Sequence, residues 1–125
     1  MPFTTDIGNK IINKVLRNTD FVHPTQLYAS LHTSAPGETG ANEVSGGGYV
    51  RKAVSFVAPT NKTSESNADL EFTNMPACTV THIGVWSAAS AGSFIWGGNL
   101  TVQRVLSEGD TLKISAGDFD VRLDT

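Results

Sequence analysis

The chain has 125 residues, 39% of them hydrophobic and 17% charged, and a formal net charge of −3. That length suits one domain, which buries roughly two-thirds of the surface its unfolded chain exposes. The acidic balance argues against a mainly electrostatic grip on nucleic acid, and no run of about 18 apolar residues is present to span a membrane.

Residues 1–6, Met1-Pro2-Phe3-Thr4-Thr5-Asp6, lack the basic region and following apolar stretch of a secretory signal. The single cysteine, Cys78, permits no internal disulfide, which fits folding in a reducing cytosol. Without a secretion signal, the sequons Asn61-Lys62-Thr63 and Asn99-Leu100-Thr101 are expected to be chance.

Residues 6–17 carry the only helical pattern. Asp6 or Thr5 is placed to cap it, and Ile7, Ile11, Ile12, Val15 and Leu16 form one apolar stripe. Lys14 and Arg17 sit favourably near the negative end of the helix dipole. A helix this short is not stable alone, so its stripe is expected to dock. It would cover an end or edge of the chain's own sheet or, in the sharper reading, pack on another subunit. Asn18-Thr19-Asp20 ends it, and Phe21-Val22-His23-Pro24 leads on extended.

Residues 27–32 alternate apolar and polar, the pattern of a half-buried strand. Thr33 to Gly48 follows as a long irregular connection rich in Pro and Gly, residues that turn the backbone. Such a loop is uncommon in a compact domain and usually works or contacts a partner. A second strand is predicted over residues 49–57, then a polar loop over 58–68. Asp69 to Thr73 alternates again, with Leu70 and Phe72 inward. Cys78 to Trp86 is apolar on both faces, which predicts a central strand sandwiched between layers. It is expected to form a hairpin with residues 93–98. Residues 100–106, 111–115 and 118–123 complete the pattern. In the last of these Phe119, Val121 and Leu123 face one way, and Asp118, Asp120, Arg122 and Asp124 face the other.

About eight strands without strand–helix–strand alternation exclude a parallel α/β sheet. The pattern calls for a mainly β fold, an antiparallel β-sandwich of jelly-roll type with one N-terminal helix. Residues 1–125 read as a single β-sandwich domain, with a helical arm over 1–20 and an interaction loop over 33–48.

Motifs that carry chemistry are sparse. Cys78 and His82, four residues apart on a strand, lie about 13 Å apart, too far to share a zinc ion without a bend. No nucleophile elbow of the G-x-S-x-G kind occurs. Nothing fixes the separation of Glu38 and Glu43 that paired-carboxylate glycoside cleavage needs, so they read as solvated loop charges. Gly46-Gly47-Gly48 precedes neither a Lys-Ser/Thr pair nor a helix, so it is no phosphate loop. No catalytic residue, metal site or cofactor is therefore expected. Core packing accounts for Tyr49, Trp86, Phe94 and Trp96. The alternatives are a sugar-stacking platform on Trp86 and Trp96, or subunit contact, for which Trp and Tyr are favoured anchors.

The run from Leu27 through Ser34-Ala35-Pro36-Gly37-Glu38-Thr39-Gly40 and Ser45-Gly46-Gly47-Gly48-Tyr49 to Phe56 carries a resemblance. Val80-Thr81-His82-Ile83-Gly84-Val85-Trp86, Gly98-Asn99-Leu100-Thr101, Glu108-Gly109-Asp110-Thr111 and Ala116-Gly117-Asp118 continue it. From about residue 26 onward this ordered series resembles a family of small structural proteins of tailed bacteriophages and prophages, often labelled tail-fibre proteins. The resemblance implies a virion structural protein with no catalytic residues to carry over. A tail fibre is usually long, with a shaft, and this sequence has no room for one and no coiled-coil or collagen-like repeat. The expectation is therefore a capsid cement or decoration protein, a homotrimer contacting the major capsid protein and copies of itself, its N-terminal segment held by neighbours. The alternative is a tail-fibre or tail-tip component for host attachment, with a host surface glycan as ligand. Ile11, Val15, Pro36, Glu38, Asn42, Glu43, Val44, Tyr49 and Arg51 are the subunit-interface candidates.

Overall fold

In a computed structural model the described residues are 3–123. The expectations that touch Met1 and Asp124 lie outside them. One helix, α1 (Thr5–Arg17), precedes eight strands: β1 (Leu27–His32), β2 (Lys52–Val54), β3 (Thr63–Glu65), β4 (Leu70–Met75), β5 (Cys78–Trp86), β6 (Phe94–Leu106), β7 (Asp110–Ile114) and β8 (Asp120–Arg122). The fold is mainly β, and every ladder is antiparallel.

β2-β1-β5-β6 form a four-stranded sheet, while β3-β8 and β4-β7 form two-stranded ones. In the large sheet Ala29 pairs with Val85 and Leu31 with Ile83, so these four side chains share a face. That face meets Leu70 and Phe72 of β4, Leu112 and Ile114 of β7, and Phe119 in one apolar core. The opposite face carries Tyr28, Ser30 and His32, paired with Trp86, Gly84 and His82. It is also covered, but by the long loop rather than by a second sheet. Pro36 is fully buried there. Gly84 and Gly97, directly paired, make the floor. A Cβ on Gly97 would stand 2.7 Å from the Pro36 ring, and one on Gly84 2.6 Å from Phe94. β5 is thus sandwiched between layers, as its sequence predicts.

The largest departures from the sequence reading among the strands are three. The strand expected over 49–57 shrinks to Lys52–Val54, with Phe56 adding an isolated bridge to Ser66. The two strands expected over 93–98 and 100–106 are one continuous β6, because the Gly97-Gly98 step stays in the ladder with Gly84 and Ile83. The polar loop over 58–68 contains β3, whose Thr63, Ser64 and Glu65 pair with Arg122, Val121 and Asp120. A short strand with one face in solvent shows little apolar alternation.

The helix begins one residue earlier than expected. Thr4, not Thr5 or Asp6, is the N-cap, its hydroxyl accepting from the Ile7 N–H at 3.4 Å. Asn18 closes it in the left-handed conformation, with φ 52°. No helix residue is buried. Of the stripe expected to dock, Ile7 and Ile11 are half-buried, and Ile12, Val15 and Leu16 are exposed.

Candidate functional site

The loop of residues 33–48 is fixed along its length. The Val44 N–H donates to Leu31 O at 2.9 Å, Thr33 N–H to Asn42 O at 3.0 Å, and Gly48 N–H to Asn74 O at 2.7 Å. Gly40, at φ 74°, lies so close to Trp86 that a Cβ would stand 2.3 Å from the indole. Only glycine fits both that backbone and that contact.

A row of hydrogen bonds ties the loop to the sheet beneath it. The Trp86 indole N–H donates to the Ser30 hydroxyl at 2.9 Å. Ser30 lies 2.7 Å from His32 Nε2, and His32 Nδ1 lies 2.8 Å from Ala41 O. A carbonyl only accepts, so Nδ1 carries the proton and Nε2 accepts from Ser30. Burial lowers the His32 pKa, which keeps this neutral tautomer. Serine against histidine is the contact of a nucleophile with its base. Here both side chains are fully buried, and the far imidazole nitrogen meets a backbone carbonyl instead of a carboxylate. The row acts as a strut.

Beside it, Arg51 makes a fork with Glu43: Nε to Oε2 and Nη2 to Oε1, both at 2.9 Å. Its Nη1 donates to Ala88 O at 3.0 Å and Ala91 O at 2.8 Å, and the guanidinium lies 3.7 Å from the Trp86 ring centroid. The Tyr49 hydroxyl donates to Glu43 at 2.7 Å and accepts from the Leu31 N–H at 3.1 Å. Burial pushes the Glu43 carboxyl up, but the Arg51 and Tyr49 hydrogen bonds outweigh it, and the pKa lies below its ordinary value. Burial and then Glu43 push the Tyr49 phenol well up, so it remains a donor.

Of the nine residues singled out from the sequence, Glu43, Tyr49 and Arg51 converge on this cluster. Pro36 and Val44 are buried on opposite faces of the large sheet, Val44 within the apolar core. Asn42 is exposed at φ 64°, its amide donating to Ala35 O at 3.0 Å. Glu38 lies apart, accepting from the Thr5 N–H at 3.0 Å at the root of α1, where a carboxylate suits the positive end of the helix dipole. Ile11 and Val15 sit on α1, far from the cluster in sequence, Ile11 half-buried and Val15 exposed. Sequence reasoning passed over Ser30, His32, Gly40 and Gly84. The available signal was Gly84, a lone glycine inside a β-branched run, which marks close approach by other atoms. Both tryptophans are buried, Trp86 beneath Arg51 and Gly40, and Trp96 beside Phe119.

The outward surface lies elsewhere. The arm touches the body at its base, where Phe3 bridges to Trp96 and the Thr4 N–H donates to Ile95 O at 2.9 Å. Further along β6, Val102 and Val105 are exposed on an edge strand. No helix among the described residues is long and apolar enough to cross a membrane. A family model described as "Podophage GP4 fiber I protein gp80" matches residues 2–122, nearly the whole chain. No curated protein matches the chain.

Proposed function

The chain belongs to the Podophage GP4 fiber I protein gp80 family and is a phage structural protein, a component of the virion; on that premise we propose that it is a tail-fibre subunit. The observation that carries this reading is the extent of the family match, residues 2–122, arm and body together. It favours the fibre alternative over the capsid cement expected from the short, shaftless sequence. The architecture supports it. A fibre subunit needs one part that holds to its neighbours and another that stays rigid when displayed. The arm, fastened to the body at its base and exposing Ile12, Val15 and Leu16, suits the first role. The body suits the second: its longest loop is fastened by the Glu43–Arg51 fork and the Trp86-Ser30-His32 row.

Particles lacking the protein separate the two readings. A fibre subunit predicts particles that resist heat and osmotic shock normally but adsorb poorly to cells, with antibody label on wild-type particles at the tail. A cement protein stabilises the assembled shell by binding it preferentially. Its removal would give particles that adsorb normally and rupture at lower temperature, which would overturn the fibre reading.

A further inference from the structure

At about 100° per residue, Ile7, Gly8, Ile11, Ile12, Val15 and Leu16 cover about half the circumference of α1. Val15 and Gly8, two turns apart, run along the middle of that face, with the isoleucines and Leu16 to either side. Ile12, Val15 and Leu16 are 55%, 74% and 76% exposed. These three alone leave roughly 400 Å² open, about half of what each partner contributes to a standard interface and the size of the largest apolar patch on a typical monomer, which is often functional.

Gly8 is the second observation. A glycine inside a helix costs about 0.5–1 kcal/mol relative to alanine. A Cβ added there would meet nothing within 4 Å, and its φ is not in the left-handed region, so neither packing nor backbone in this chain calls for glycine. Absence of a side chain at the centre of an apolar face lets another backbone come close. We propose that α1 is a self-association element: its apolar face docks on α1 of a second copy of this chain, with Gly8 at the closest approach.

A second copy fits better than a foreign partner for two reasons. Lys10 pairs with Asp6 at 2.9 Å and Lys14 with Asp20, and Arg17, bonded to Asn13, stands on the side of the helix away from the face, so the face itself presents no charge demanding an acidic or basic surface. Every copy carries the same face, so symmetric docking covers it on each subunit at once. The inference is independent of whether the protein sits on tail or capsid.

Sedimentation equilibrium of the full chain tests it, with Val15→Asp and Gly8→Ala alongside. Wild type should associate reversibly in the micromolar range. Val15→Asp should weaken association roughly tenfold or more by placing a charge in the buried seam. Gly8→Ala should raise the helix signal in circular dichroism yet weaken association, an opposition that a merely local role for Gly8 would not produce. Wild type that stays monomeric at the highest soluble concentration would overturn the proposal. So would variants that associate as wild type does, since the interface would then lie elsewhere.

Discussion

The loop of residues 33–48 and the arm of residues 3–20 make opposite use of their chemistry. The loop has no regular structure and is rich in Gly and Pro, yet its backbone and its Pro36, Glu43 and Val44 side chains are fastened to the body. The arm is a regular, capped helix with an apolar stripe, yet it buries no helix residue in this chain. Regularity and anchorage are separate properties. A loop becomes rigid when its polar groups find partners, and a helix stays weakly anchored when its apolar face is only partly covered.

Breaking the loop's anchor should give the largest effect. Arg51→Ala removes both bonds of the fork, two carbonyl bonds and the contact with Trp86, and leaves Glu43 without its countercharge. The Arg51 and Glu43 side chains are 9% and 22% exposed. A pair this enclosed costs about 3 kcal/mol to break from one side. Urea melts of the monomer should show that loss, and a cost below about 1 kcal/mol would mean that the fork does not hold the loop. Replacing the whole loop with a short link should likewise prevent folding rather than only assembly, since Pro36 and Val44 would go with it.

The loop's pH response sharpens the contrast. Burial lowers the His32 pKa in the folded protein, so the unfolded chain takes up its proton first as pH falls. The stability His32 contributes is present above its ordinary pKa of about 6.5 and declines below it, by at most about 1.4 kcal/mol per pH unit. Glu43, also lowered, adds a second decline below its ordinary value of 4.5. Urea midpoints measured from pH 8 to pH 4 should fall in those two stages. His32→Gln should be less stable at pH 8 and lack the first stage; an unchanged first stage would remove His32 as its origin.

The strand pattern was legible because its cause is local: Leu27–His32 and Cys78–Trp86 stand where alternation and β-branching put them. The loop's fastening was not legible, because it depends on pairings across the fold. Arg51 meets carbonyls at Ala88 and Ala91, and Trp86 meets Ser30. Glu43 and Arg51 were both singled out, but sequence spacing says nothing of which way two loop charges turn. The helical stripe was read in full, and its partner was the open question. Short β3 escaped because two residues of Thr63-Ser64-Glu65 are only half-buried and none is apolar.

The smallest expected effect tests the arm. Val15 is 74% exposed and α1 has no buried residue, so Val15→Gln removes no packing within the chain. Glutamine is also the slightly better helix former. In a sample dilute enough to be monomeric, the change should move stability by no more than about 0.5 kcal/mol in either direction, as for an ordinary surface site. Urea melts at two protein concentrations separate this from any effect on association: the dilute curves of wild type and variant should coincide, and the concentrated ones should diverge. A loss above 1 kcal/mol in the dilute sample would mean that the arm lies against the body in solution. The arm would then be anchored after all, and the difference between the two segments would vanish.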